Sequence, residues 1–302
     1  MTLALLQIVA FLLGAPLLPG VIGRVKAVFA GRTGPPLLQP WRDLLRLAGK
    51  GAVFSRTTTW IFRAGPAVAL AATLAAGLLV PLGAPAALVR FGGDFVLFAY
   101  LLGLGRFATV LAALDTGSSF EGMGAAREAT YSAVAEPALF LGLVSLARST
   151  RALDLSHMLG LQLQPVWWTD GPALLLVAVS VFVVALAENA RVPVDDPSTH
   201  LELTMIHEVM VLDHSGPDLA LIQYGAALKL YLFGALVVRL SLGALAQEPW
   251  LAFAAFLGGQ VLFAIAIGVV ESTIARLRLL RVPQLLIGAS ALSAFALVLL
   301  LR

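Results

Sequence analysis

"AGPAVALAATLAAGLLVPLGAPAALV", residues 64–89, carries no charged side chain between Arg63 and Arg90. An α-helix rises about 1.5 Å per residue, so about 20 residues cross the ~30 Å hydrocarbon core of a bilayer. This stretch is long enough to span, and it has counterparts along the whole chain. Reading outward gives eight spans, at 2–23, 65–89, 95–114, 128–147, 171–188, 219–243, 250–271 and 283–301. The sequence therefore predicts an all-α polytopic membrane protein of about eight transmembrane helices, with one integral membrane domain over residues 1–302.

Composition agrees. Of 302 residues, 60% are hydrophobic and 12% charged, with a mean hydropathy of +0.94; soluble domains carry about 25% charged residues. The net charge of +3 is small and says little by itself; the apolar composition makes the lipid bilayer the expected partner, with no nucleic acid. Cysteine is absent, so this chain supplies no disulfide, thiolate metal site or cysteine-held iron–sulfur cluster. Any redox metal is expected on a partner. Residues 1–23 have no basic n-region and no clear cleavage site, which reads as a first transmembrane helix rather than a signal peptide.

Basic residues set the orientation. With the amino terminus outside, the inner loops hold thirteen Lys and Arg residues: Arg24, Lys26, Arg32, Arg42, Arg46, Lys50, Arg56, Arg63, Arg127, Arg191, Arg276, Arg278 and Arg281. The outer segments hold four: Arg90, Arg148, Arg151 and Arg302. Both termini are expected outside a prokaryotic cytoplasmic membrane, with the basic loops in the cytoplasm. After the first span, "PPLLQPWRDLLRLAGK" (35–50) puts Leu37, Leu38, Trp41, Leu44, Leu45 and Ala48 on one helical face. Arg42, Asp43, Arg46 and Lys50 fall on the other. This is the pattern of a short amphipathic helix in the inner interface, either a plain anchor or one wall of a cavity. No internal repeat of the kind found in many transporters is visible.

Charges inside the spans are the first functional signal, because each costs about 2.5–3.5 kcal/mol at mid-membrane. In "REATYSAVAEP" (127–137), Glu128, Ser132 and Glu136 recur every four residues on one face, and Pro137 follows at once. Arg106 and Lys229 lie in neighbouring spans, while Glu188 and Glu271 close two others at the inner end. The six charged residues (Arg106, Glu128, Glu136, Glu188, Lys229 and Glu271) are candidates for a proton path or polar cavity, or for static neutralisation of the acids by Arg106 and Lys229.

The second signal is "AENARVPVDDPSTHLELTMIHEVMVLDHSG" (187–216), which holds six of the seventeen acids and three of the four histidines. His200, His207 and His214 are seven apart, about 10.5 Å of helical rise, whereas imidazoles sharing a zinc must each come within about 2.1 Å of it. On a helix that spacing argues against a shared zinc, and Val211 stands where H-E-x-x-H needs its second histidine. Asp195–Asp196–Pro197 reads as a helix start, Thr199 and Glu202 have capping-box spacing, and Gly216–Pro217 reads as the stop. The expectation is a capped helix with Leu201, Leu203, Met205, Ile206, Val209, Met210 and Leu212 against its acids. Such a helix calls for a cover, either membrane interface or a protein partner.

Four blocks, "GRTGPPLLQPWRDLLRL", "LDTGSSFEGMGAARE", "AENARVPVDDPSTHLELTMIHE" and "ESTIARLRLLRVP", together resemble the membrane subunit of group 4 nickel–iron hydrogenases, the formate hydrogenlyase subunit 4 type. That family is homologous to the H-type membrane subunit of respiratory complex I, and the resemblance runs nearly the whole chain in order. It implies an eight-helix subunit at the joint between a peripheral electron-transfer arm and a membrane arm. By that resemblance, Arg32, Gly34, Pro35, Gln39 and Asp43 belong to a first docking loop and Asp115, Ser118, Gly122, Arg127 and Glu128 to a second. Glu188, Arg191, Pro193, Asp195, His200, Glu202, His207 and Glu208 belong to a third, and Glu271, Arg276 and Arg278 to a fourth.

The resemblance also implies partners. Hydrogenase large and small (iron–sulfur) subunits would sit on the cytoplasmic side, carrying the NiFe centre and iron–sulfur clusters, with antiporter-like subunits in the membrane. This chain would bind no cofactor, hold no metal and supply no catalytic residue. The alternative is the H-type, quinone-site subunit of a complex I type NADH/quinone oxidoreductase, but two features favour the hydrogenase branch. "GPPLLQP" is contracted relative to the quinone type, and "VPVDDPSTHLEL" replaces its F-D-L-x-E-x-E-S-E-L. Two departures from the hydrogenase pattern stand out: Glu121 where glycine is favoured, and Asp213–His214 where Glu-Tyr is usual.

Overall fold

A computed structural model describes residues 2–83, 86–196, 205–242 and 248–301. Its helices are α1 (Thr2–Gly14), α2 (Leu17–Phe29), α3 (Gln39–Ala48), α4 (Trp60–Leu79), α5 (Asp94–Asp115) and α6 (Ser119–Thr150), followed by α7 (Leu155–Met158), α8 (Leu163–Glu188), α9 (Gly216–Leu242), α10 (Pro249–Thr273) and α11 (Val282–Leu300). No strand occurs among the described residues. Among the described residues seven helices are long and apolar enough to cross a membrane, and there are eight such spans if α1 and α2, bent by 49°, count as one. The all-α, multi-pass expectation holds.

The bend in the first span follows from Pro16. Proline has no N–H to give the carbonyl one turn back, and in a bilayer that carbonyl must be satisfied from elsewhere. The Tyr224 hydroxyl donates to the Leu12 carbonyl at 3.0 Å, and Trp41 Nε1 donates to the Leu13 carbonyl at 3.1 Å. Trp41 belongs to α3, the amphipathic helix expected after the first span, which lies against α2 and α9. A second proline shapes α8: Pro172 is preceded by Asp170 in a non-helical conformation (φ −117°, ψ 23°). The helix thus starts at Leu163, well before the expected span.

Close helix packing relies on small residues and hydroxyls, as it must where lipid tails remove the hydrophobic drive between helices. Between α6, α8 and α11, Ser293 Oγ lies 3.0 Å from the Ala138 carbonyl and 2.8 Å from Ser180 Oγ, and Ser180 donates to the Ala289 carbonyl at 2.8 Å. The core is filled by large apolar side chains such as Tyr231, Phe98 and Phe233.

At one end of the bundle the connections before α4, α6, α9 and α11 tie together. Thr59 caps α4, and Asp115 accepts the Thr59 and Phe62 amides at 2.6 and 3.2 Å. Val53 N donates to Ser215 Oγ at 3.1 Å, Leu277 N to the Pro193 carbonyl at 2.9 Å, and Arg127 to the Met205 carbonyl at 2.8 Å.

The expected helix of the third connection is corrected here. Residues 197–204, with Pro197, Thr199, His200, Leu201, Glu202 and Leu203, lie outside the described residues. Residues 205–215 hold no α-helix, only a 3-10 turn at Glu208–Val211, and Gly216 opens α9 instead of ending a helix. The reason is local. Asp195 Oδ2 accepts the amides of both Ile206 and His207 at 3.1 Å, which takes them out of a helical ladder. Gly216 has φ +54°, and a Cβ there would lie 2.6 Å from the Gly51 carbonyl. Met205, Ile206, Val209 and Met210 are buried, and the segment presses so closely on α6 that a Cβ on Gly124 would lie 2.3 Å from Val209 Cγ1. This part of the connection is covered by its own chain.

Candidate functional site

The acidic stripe of α6 and the basic residues of its neighbours meet in one connected set of ion pairs. Arg106 on α5 is central: Nη1 contacts Glu136, Nη2 lies 2.7 Å from Glu188 on α8, and Nε lies 3.4 Å from Glu128. Lys229 on α9 reaches the other Glu188 oxygen at 2.7 Å. Glu128 also meets His207 Nε2 at 3.1 Å, His207 Nδ1 lies 3.6 Å from Asp195, and Asp195 meets Arg276 at 2.9 Å. The chain of charges runs from the α10–α11 connection to the flank of α6.

Electrostatics explains the arrangement. Carboxylates in such a setting persist only when paired and hydrogen-bonded. Four carboxylates (Glu128, Glu136, Glu188, Asp195) face four cationic groups (Arg106, Lys229, Arg276 and protonated His207). For His207, burial alone would favour the neutral ring, but Glu128 and Asp195 more than offset it and push the pKa up to about 10. Burial would likewise raise the Asp195 carboxyl, yet bonds and charge from His207, with Arg276, hold it below its ordinary value. Glu136 differs from the rest: its side chain is 57% exposed on the flank of the bundle, against 5% for Glu128 and Glu188.

A cavity of about 550 Å³ adjoins this set. Its apolar walls come from residues such as Leu70, Leu102, Met210 and Ile222, and Arg106, Glu128, Glu188, His207 and Lys229 line its polar side. Such an apolar pocket with a few converging polar groups is the usual form of a binding or transit site.

A family model described as NADH dehydrogenase matches residues 2–302. The chain belongs to that family. Among relatives of this family, hydrogenase-4 component C of Escherichia coli strain K12 is 31% identical, covering 97% of this chain and 93% of the relative. Formate hydrogenlyase subunit 4 of the same strain is 28% identical, covering 93% and 92%. The H-type subunit of NADH-quinone oxidoreductase from Anaplasma phagocytophilum strain HZ is 28% identical over a shorter stretch, 73% of this chain and 69% of the relative. A chain of the membrane-bound sulfane sulfur reductase, an archaeal respiratory membrane complex, shares the fold. Its TM-score is 0.85 at 22% identity, with 99% of this chain and 98% of that chain covered.

Within this NADH dehydrogenase family member, the structure joins five of the six in-membrane candidates: Arg106, Glu128, Glu136, Glu188 and Lys229. Glu271 stands apart. Its buried side chain meets Lys26 of α2 at 2.9 Å and Arg191 at 3.4 Å, a separate clasp between α2, α10 and the third connection. Of the loop candidates, Asp195, His207 and Arg276 turn inward into the ion-pair chain, and Glu208 lines the cavity. Asp115 is occupied by the α4 cap, Arg127 by the Met205 carbonyl, and Gln39 donates to Asp43 at 2.8 Å. Arg32 and Arg278 line the loop-bearing end, and His200 and Glu202 lie outside the described residues.

Two residues carry more than their sequence signal suggested. Glu121 is fully buried and accepts the Asp213 amide at 2.9 Å, and the next residue, His214, stacks on Phe62 with ring centroids 3.9 Å apart. The two departures from the hydrogenase pattern are therefore in contact. Their joint occurrence in two loops of one chain is the signal that the sequence offers for this contact.

Proposed function

We propose that the chain is the membrane-anchor and coupling subunit of a multisubunit, energy-converting nickel–iron hydrogenase-type complex. Its basic loop-bearing end faces the cytoplasm and docks the large and iron–sulfur subunits, which carry the NiFe centre and clusters. Both termini lie outside, and antiporter-like subunits adjoin it in the membrane. Redox chemistry in the soluble arm is linked through this chain to movement of protons or sodium ions.

The observation that carries this reading is the continuous run of ion pairs from Arg276–Asp195 at the loops, through His207, Glu128 and Arg106, to the half-exposed Glu136. One end meets the face where an arm would dock, and the other reaches the flank where a neighbouring membrane subunit would cover a carboxylate that lipid would not tolerate. A second reading, the quinone-site subunit of a complex I type quinone reductase, is favoured by the cavity with apolar walls. The near full-length match to hydrogenase-4 component C supports the first. The test is Glu136→Gln in the assembled complex in sealed vesicles. Ion movement should fall at least about tenfold while hydrogen turnover stays within about twofold; unchanged ion movement at matched electron flux would overturn the reading.

A further inference from the structure

His214 is buried, at 4% exposure, on the wall of the cavity. Its ring lies flat on Phe62, with an interplanar angle of 8°. Among the described residues neither ring nitrogen meets a hydrogen-bond partner. A buried polar group without a partner forfeits its hydration with no return, so its persistence calls for a role. The residue is also held in place: Glu121 of α6 fixes the amide of Asp213, and Ser215 accepts the amide of Val53.

We propose that His214 is a proton relay on the cavity wall, passing protons between the loop-bearing end and the cavity that leads to Glu128, Glu188 and Lys229. This rests on the coupling function above and commits it to protons. Burial holds the ring's pKa down at about 4, so at neutral pH it carries one proton, with one nitrogen free. The free nitrogen takes a proton from one side as the other nitrogen releases its own to the other side, and the ring is neutral before and after. A half-turn about Cβ–Cγ resets it. That turn leaves the ring in the same plane, so the stack on Phe62 survives each cycle.

The experiment uses the assembled complex in sealed vesicles and reads protons moved per electron. His214→Ala should lower that ratio about tenfold with electron turnover retained. Free imidazole, which fits the space vacated, should restore the ratio to within about twofold of the parent. His214→Phe, which keeps the stack but has no nitrogen, should stay low with or without imidazole. A wild-type ratio in His214→Phe, or a lowered ratio in His214→Ala that imidazole does not restore, overturns the relay. If His214→Ala assembles only with imidazole present and then moves no protons, the role is packing and the relay is overturned. Glu136→Gln run alongside separates the two ideas: normal transport in the His214 variants with transport lost in Glu136→Gln removes the relay and keeps the coupling function, whereas normal transport in Glu136→Gln removes both.

Discussion

His207 and His214 flank one short 3-10 turn, yet their surroundings are opposite. His207 sits between two carboxylates and is held charged, with a pKa near 10. His214 lies on a phenyl ring, away from any polar partner among the described residues, and is held neutral, with a pKa near 4. The same side chain thus serves as a fixed cation at one end of a segment and as a neutral, amphoteric group at the other. Neighbours decide which, through carboxylates on one side and an apolar wall on the other.

The contrast is broken most strongly from the charged end. His207→Ala leaves Glu128 and Asp195 without their shared cation, and removing one partner of a buried pair costs about 3–5 kcal/mol. Hydrogen exchange over residues 205–216 should show that loss as lowered protection. Protection like that of the parent would mean that Arg106 and Arg276 neutralise the acids alone.

Titration sharpens the contrast with opposite signs. The stability that His207 contributes is complete below its unfolded pKa of about 6.5 and is lost as pH rises toward 10. That of His214 is complete above about 6.5 and is lost as pH falls toward 4. Limited proteolysis of the 205–216 segment should therefore accelerate on both sides of neutrality, and His207→Ala should remove only the alkaline limb. The smallest effect is steric. Gly124→Ala puts a methyl group on Val209 and should cost about 1–3 kcal/mol. It should loosen the segment at both ends while leaving each histidine's titration in place, as nuclear magnetic resonance of labelled histidine would read.

Much of the fold was legible, and the reason is physical. The bilayer demands long apolar runs, and charge-free stretches such as residues 64–89 report it directly. Glu128 and Glu136 were legible as a stripe because helical spacing puts them on one face, and Arg106 and Lys229 because a lone charge in a span needs a partner. Residues 205–215 of the third connection are not the helix that apolar periodicity suggests, because periodicity describes a helix in isolation. It is silent on Asp195 drawing two amides out of the ladder, and on a glycine backbone pressed against Gly51. Glu271 was grouped with the other acids because it also ends a span at the same end, but periodicity along one helix cannot say which helices are neighbours. The structure gives it Lys26 and Arg191 instead.

The bend at Pro16 ties the first span to distant parts of the chain. Of the two carbonyls satisfied by side chains at the bend, Leu13 finds its donor in Trp41, 28 residues further on. Leu12, whose helical donor Pro16 removes, finds its own in Tyr224, 212 residues further along the chain. The hydrogen bonds of the first span are therefore complete only when α9 is packed against it, so a change in α9 at Tyr224 would be felt at the bend.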